Sequence, residues 1–329
     1  MEYLRRLNPI QSSPYLRFFL GLVVSVLCLY LALLNVSIIE VRRAISEVEL
    51  GFFVLSCGAV IFTVLCKVIR WWILLTSVGQ VIPFSRISFS FLSAQMLNAF
   101  LPVRVGELNR VAVIGGSGVG HALVLGTIAI EKYLDMVVFA ILFSIMLIIM
   151  PLPVWLGGSG YIFIGMTVLL SLIVTIIVIK RNSVYWIIER LIKYAPSRLQ
   201  SYISSHIKLG LSSLDVLQSR SVLLSLAFWS ALIWSFALLT NHLVITSFDL
   251  KLPLRASLLL LIALQAGISI PSLPAKVGLF EYICVLALGI FGVQQSMAFS
   301  YGLLLHVIVY LPIITLGLVS FWLLQLGKH

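Results

Sequence analysis

Two stretches of this chain bring a cation, a carboxylate and a helix-breaker together. The first is Leu101-Pro102-Val103-Arg104-Val105-Gly106-Glu107, and the second is Leu273-Pro274-Ala275-Lys276-Val277-Gly278-Leu279-Phe280-Glu281. Each reads Leu-Pro-x-basic-Val-Gly and is followed by a Glu, and each lies among residues that are otherwise apolar. A charge at the centre of a bilayer costs roughly 2.5–3.5 kcal/mol even on the lenient insertion scale, so such residues usually mark a function. The chemistry open to them is anion binding. Arg104 and Lys276 can offer charge to a phosphate, and Glu107 and Glu281 can hold those bases while the site is empty. Pro102, Gly106, Pro274 and Gly278 can break the helix, so that unpaired backbone groups at half-helix ends join in.

The two copies extend upstream. Leu74-Leu75-Thr76, Pro83, Arg86, Ser88 and Gln95 precede the first. Leu238-Leu239-Thr240, Pro253, Arg255, Ser257 and Gln265 precede the second, in the same order. This is a diverged duplication rather than a short-period solenoid. It adds Gln95 and Gln265 to the candidate substrate-binding set. A further cluster, Glu131-Lys132-Tyr133-Leu134-Asp135, sets Glu131 and Asp135 on one helix face. Two readings of it stay open. The carboxylates form a pair that takes up and releases a proton, or they are counter-ions for Lys132 and Arg110.

The surrounding composition says what kind of matrix holds these charges. Of 329 residues, 61% are hydrophobic and 10% are charged, with a mean hydropathy of +1.15. No soluble globular class has this balance, and the chain reads as a polytopic membrane protein. The net charge of +11 is no sign of nucleic acid, because the bases flank apolar segments, where they set topology and meet anionic lipid. Cys28, Cys57, Cys66 and Cys284 have no metal spacing and read as small buried hydrophobes. His121, His206, His242, His306 and His329 are scattered and read as core or interfacial residues. No metal and no cofactor is expected. The first apolar run is too long for a cleavable signal peptide and lacks a small-residue cleavage site.

Along the chain, apolar spans are predicted at 18–39, 52–76, 122–150, 161–179, 222–246 and 298–326. Lys67, Arg70, Trp71 and Trp72 at the end of the second span predict an interfacial belt with snorkelling cations. Residues 40–49 read as a mixed-charge loop. Residues 84–101 are apolar but short and seeded with Ser, Gln and Asn, which suits a half-helix that breaks at Pro102 and turns back through 104–114. Residues 254–270 and 277–293 repeat that pattern around Pro271 and Pro274. Gly115 to Gly120 reads as a joint between helices, since a nucleotide loop needs a preceding strand and a following Lys-Ser/Thr. The stretch 180–220 carries Lys180, Arg181, Arg190, Lys193, Arg198, Lys208 and Arg220 against Glu189 and Asp215. Its helical spacing predicts basic amphipathic helices on the inner leaflet, with a partner-binding helix as the alternative.

The predicted fold is therefore an all-α polytopic membrane protein with about six full spans plus two re-entrant broken-helix hairpins, or eight spans by hydropathy alone. It is one transmembrane domain over 1–329, with a first repeat at 51–179, a cytoplasmic linker at 180–220 and a second repeat at 221–329. The positive-inside rule places the N-terminus and the linker in the cytoplasm. An odd number of crossings then separates the hairpins, which makes the two repeats inverted, a recurring transporter design.

The elements Pro102-x-Arg104-x-Gly106-Glu107, then Glu131-Lys132-x-x-Asp135, then Pro274-x-x-x-Gly278-x-x-Glu281 resemble the transmembrane flippase-like domain of the lysylphosphatidylglycerol synthase family. Lys132 stands where that family usually has Arg. The resemblance covers nearly the whole chain. It implies movement of a phospholipid or another lipid-linked anion between leaflets of a prokaryotic cytoplasmic membrane. The chain reaches only a few residues past its last predicted span, so it is expected to lack the soluble aminoacyl-transferring domain and to make no aminoacyl lipid. A membrane lipid is the expected partner, together with an enzyme of lipid or envelope biosynthesis. The oligomeric state is left open. Two other readings remain: a membrane-embedded transferase using Glu107 or Glu281 as base, and a non-catalytic accessory subunit. Against the transferase, the chain has no Asp-x-Asp and no His-Glu-x-x-His.

Overall fold

The computed structural model describes residues 14–101, 105–150, 213–267 and 273–326, with isolated positions between 165 and 190. Every regular element among the described residues is helical. In order they are α1 (Pro14–Leu33), α2 (Ile38–Ser46), α3 (Leu50–Ser77), α4 (Phe84–Phe100), α5 (Val105–Ile114), a π-helical turn (Gly115–Val119), α6 (His121–Ile149), a 3-10 turn (Ser213–Gln218), α7 (Arg220–Ser247), α8 (Leu254–Gly267), a 3-10 turn (Pro274–Lys276), α9 (Leu279–Gly289) and α10 (Gln295–Leu326). The reason is solvent: a lipid core offers backbone groups no water, so apolar segments satisfy them internally.

Four of these helices, α3, α6, α7 and α10, are long and apolar enough to cross a bilayer. The α1–α2 pair adds a fifth if its 83° bend lies within one span. The chain is a multi-pass membrane protein. The predicted span at 161–179 and residues 180–212 of the basic linker fall outside the described residues, apart from isolated positions.

Three predictions about element limits change. The first apolar helix ends at Leu33, not at 39, because Asn35 takes a left-handed conformation (φ 60°) and turns the chain. The mixed-charge loop at 40–49 is largely helix. Ser37 caps α2, its hydroxyl accepting from the Glu40 N–H at 3.5 Å, and Glu40 sits in the first turn, where the helix dipole favours an acid. Arg43 then pairs with Glu47 one turn on, at 2.9 Å. Finally, Gly106 lies inside the first turn of α5 and is buried there, so it is not itself at the break.

Both predicted breaks are interruptions of helix. α4 stops at Phe100 and α5 starts at Val105; Pro102, Val103 and Arg104 lie outside the described residues. In the second copy α8 is described as far as Gly267, residues 268–272 lie outside the described residues, and Pro274 opens a short turn. Ala275 (φ 55°), Lys276 (φ 64°) and Gly278 (φ 85°) then follow with left-handed backbone. Gly278 precedes α9 and needs to be glycine for a second reason. A Cβ there would collide with the Ser25 carbonyl oxygen and reach Leu29 Cβ at 3.0 Å.

The residues pack as two units, 1–60 with 96–104 and 238–314, and 61–95 with 105–237 and 315–329. The sequence repeat divides the chain at different points. In the first unit α9 packs against both α1 and α8. The Leu273 N–H donates to Ser25 Oγ at 2.8 Å, which ties the second break to α1. Gly302 of α10 comes so close to α9 that a Cβ would stand 3.2 Å from both Glu281 Cα and Cys284 Cβ. In the second unit Val68, Trp71 and Leu75 of α3, Ile87 and Phe91 of α4, Ile114 of α5 and Val124 and Ile128 of α6 share one core. The glycine run is the joint between α5 and α6. Gly118 and Gly120 are both left-handed (φ 92°), and the Gly120 N–H bonds to the Gly115 carbonyl at 3.2 Å.

Gly278 and Gly118 separate backbone strain from crowding. A Cβ on Gly118 meets nothing within 4 Å, so Gly118→Ala should cost only about 1 kcal/mol, the strain of a left-handed residue. Gly278→Ala should cost at least about twice that, because backbone must also move. Thermal unfolding in detergent would rank the two; equal losses would contradict the close α1–α9 approach.

Candidate functional site

The second unit holds most of the ionisable groups the sequence singled out, and it holds them in pairs. Arg110 of α5 makes a two-pronged contact with Glu131 of α6, Nη2 to Oε2 at 2.6 Å and Nη1 to Oε1 at 3.3 Å. Both side chains are 4% exposed. The Arg110 guanidinium also lies over the Trp71 ring, 3.8 Å from its centroid, and 4.8 Å from that of Phe91. Cation–π contacts of this kind contribute about 0.5–2 kcal/mol, more when dry. Trp71 is held by its indole N–H, which donates to Thr127 Oγ1 at 3.3 Å.

Two more pairs flank this one. Arg70 of α3, fully buried, meets Asp135 of α6 at 2.8 Å and donates from Nη1 to Ser230 Oγ of α7 at 2.9 Å. The contact with Asp135 is an ion pair without hydrogen-bond alignment, and Arg70 Nε and Nη2 have no acceptor. Lys132 of α6 reaches Glu107 of α5 at 2.9 Å. Here the side chains are 43% and 22% exposed, so the cluster has a closed floor and a more open rim. The spacing explains the order: residues 131, 132 and 135 on α6 face α5 and α3 in turn, and each acid meets a different base.

A cavity of about 570 Å³ lies elsewhere in the same unit, walled by Phe89, Ala112, Val113, Phe321 and Leu324 and edged by Ser85, Arg86, Asn109 and Gln325. Asn109 also donates to Ser93 Oγ at 3.1 Å. Among the described residues the cavity lining carries one cation, Arg86, and no carboxylate.

In the first unit the second break carries its own charged group. Glu281, 3% exposed, accepts from the Gly278 N–H through Oε2 at 2.7 Å and meets His306 Nδ1 through Oε1 at 2.6 Å. A carboxylate in the first turn of α9 satisfies a helix-end N–H and sits well in the helix dipole. His306 is packed between Phe280 and Tyr310, with centroids at 4.8 and 4.7 Å. Nearby, the Tyr301 hydroxyl contacts Asn241 Oδ1 at 3.2 Å.

Several predicted roles change in this light. Glu107 and Glu281 were expected to hold Arg104 and Lys276. Glu107 binds Lys132, and Glu281 binds His306 and the Gly278 N–H. Glu131 and Asp135 do not form a pair with each other; each is matched to an arginine, which favours the counter-ion reading, with Arg110 and Arg70 as the bases. Arg70 and Trp71 do not belong to an interfacial belt. Both are fully buried, whereas Trp72 is 36% exposed. Lys276, Gln95 and Gln265 are half-buried, and Arg104 lies outside the described residues. Sequence reasoning passed over Arg70 and His306 as site members. The available signal was that each is an ionisable group within an otherwise apolar helix, where a partner is the rule.

A helical multi-pass membrane protein with paired charges sunk among its spans is the class these features define. The chain belongs to the lysylphosphatidylglycerol synthase transmembrane-region family, whose model matches residues 18–317. No curated protein matches the chain. The resemblance carried by the three short motifs is borne out over nearly the whole sequence.

The Arg70 contacts can be ranked. Asp135→Asn leaves a buried guanidinium without its counter-ion and should cost about 3–5 kcal/mol. Ser230→Ala removes one neutral acceptor and should cost about 1 kcal/mol. Chemical unfolding in detergent would measure both, and equal costs would show that Asp135 is no counter-ion.

Proposed function

We propose that the protein moves an anionic phospholipid or another lipid-linked anion between the leaflets of a prokaryotic cytoplasmic membrane. The observation that carries this reading is the charge cluster in the second unit. Seven ionisable residues, Lys67, Arg70, Glu107, Arg110, Glu131, Lys132 and Asp135, lie on helices α3, α5 and α6, and ionisable groups at such positions line ion and substrate paths. Membership of a family built around lipid chemistry supports the same reading. Arg104 and Lys276, one at each helix break, hold the head group. Glu107, Glu281, Gln95 and Gln265 complete the polar lining.

In this account the two repeats are inverted, the N-terminus is cytoplasmic, and the breaks at Pro102 and at Pro271 and Pro274 are the turns of re-entrant hairpins entering from opposite faces. The protein is not itself an enzyme. Transport runs downhill or draws on the membrane potential, worth about 2.3 kcal/mol per charge per 100 mV. The basic stretch at 180–220 lies on anionic lipid, where a biosynthetic enzyme that supplies the cargo can dock. The Glu281–His306 contact at 2.6 Å is the feature that favours a second reading, a transferase with Glu281 as base.

Liposomes holding a fluorescent anionic phospholipid in both leaflets, bleached from outside by an impermeant reductant, separate these readings. The protein should expose the inner pool. Arg104→Gln and Lys276→Gln should each slow exposure by about tenfold or more, the value of one charge-assisted hydrogen bond. A transferase would alter the lipid's chromatographic mobility instead. Protection of the inner pool in the presence of folded protein would contradict transport.

A further inference from the structure

Among the described residues, the cluster in the second unit does not balance. Its carboxylates are each engaged: Glu131 by Arg110, Asp135 by Arg70 and Glu107 by Lys132. Lys67 remains. It lies on α3 one turn before Arg70, half-buried, and the charges that act on it most are Asp135, Arg70, Lys132 and Glu131. With Lys67 protonated, four cations (Lys67, Arg70, Arg110, Lys132) stand against three carboxylates (Glu107, Glu131, Asp135) among the described residues. A second observation points the same way. Arg70 is wholly buried, yet its Nε and Nη2 have no acceptor. Natural structures rarely leave such donors unmet, and a missing ligand is a standard cause. Access exists, since Lys67 is half-buried and Asp135 and Lys132 are 29% and 43% exposed.

We propose that Lys67 and Arg70 form an anion subsite for one phosphate-class group, separate from the motif residues at the two helix breaks. A phosphodiester carries a single negative charge, which cancels the surplus. Its oxygens accept from an ammonium and a guanidinium at once. The site follows from charge balance within this unit and does not rest on transport. Two sources share the chemistry, a lipid head group and free phosphate.

The test uses the full chain in neutral detergent, as wild type, Lys67→Gln and Lys67→Arg. Thermal unfolding is followed against inorganic phosphate, against phosphatidylglycerol in mixed micelles, and against diacylglycerol and sodium chloride as controls. Wild type and Lys67→Arg should gain stability from a phosphate-bearing ligand beyond the controls. Lys67→Gln should need at least tenfold more ligand for the same gain. A response to phosphatidylglycerol alone identifies a head group as the source, and a response to both identifies the phosphate itself. Without ligand, Lys67→Gln should be at least as stable as wild type, because a surplus charge has gone. The proposal is overturned by equal ligand dependence in wild type and Lys67→Gln, by no response in wild type, or by a marked loss of stability in unliganded Lys67→Gln. The last result would make Lys67 a structural counter-ion. Activity in the liposome assay is a separate readout and can fail while this binding stands.

Discussion

The structure depends on one constraint: a charge inside hydrocarbon has to meet its opposite. Arg110 and Glu131 meet it most completely, with two contacts at 2.6 and 3.3 Å and aromatic faces packed against the guanidinium. That pairing fixes α5 against α6, and the glycine turn between them permits the approach. A Cβ on Gly115 would stand 2.9 Å from His121 Cα. Trp71 joins α3 to the same point through Thr127. Positions of three helices thus follow from where one guanidinium finds its carboxylate. Such a pair is weak evidence for stability in itself, since well-packed apolar residues can do as well. Its cost is better explained by a use.

The first unit solves the same problem with fewer charges. Glu281 is accommodated by a helix-end N–H and a histidine, and the left-handed residues 275, 276 and 278 shape the turn that delivers it. The two breaks therefore share a sequence motif, but their glutamates have different partners. At the first, Glu107 looks to Lys132 on a neighbouring helix. At the second, Glu281 looks to its own helix start and to α10. Sequence repetition survives where the backbone must be interrupted and diverges where side chains find partners.

The helical class and both interruptions were legible because hydropathy and proline act locally, within a turn or two. Partner choice was not, because it depends on which helices lie side by side. Glu131 and Asp135 look like a carboxylate pair in sequence, since spacing shows they share a face. It does not show that α3 brings Arg70 to one and α5 brings Arg110 to the other. Arg70 and Trp71 look like an interfacial belt from their place near a span's end, and only the packing of α3 buries them. The helix α2 was hidden by its charges, although Ser37 and Glu40 are an N-cap and a first-turn acid in plain view. His306 carried the opposite lesson: one histidine in a long apolar run gave no pattern, and its partner is 25 residues away.

The measurement closest to the centre of this account is a double-mutant cycle on Arg110 and Glu131, read as unfolding free energy in detergent. Each single substitution to Gln should be severely destabilising, by about 3–5 kcal/mol, because each strands a buried charge. The double substitution should recover much of that loss, giving a coupling of about 2 kcal/mol or more. Additive losses within about 0.5 kcal/mol would mean the two charges are solvated separately, and the pairing could not then be what positions α5 on α6.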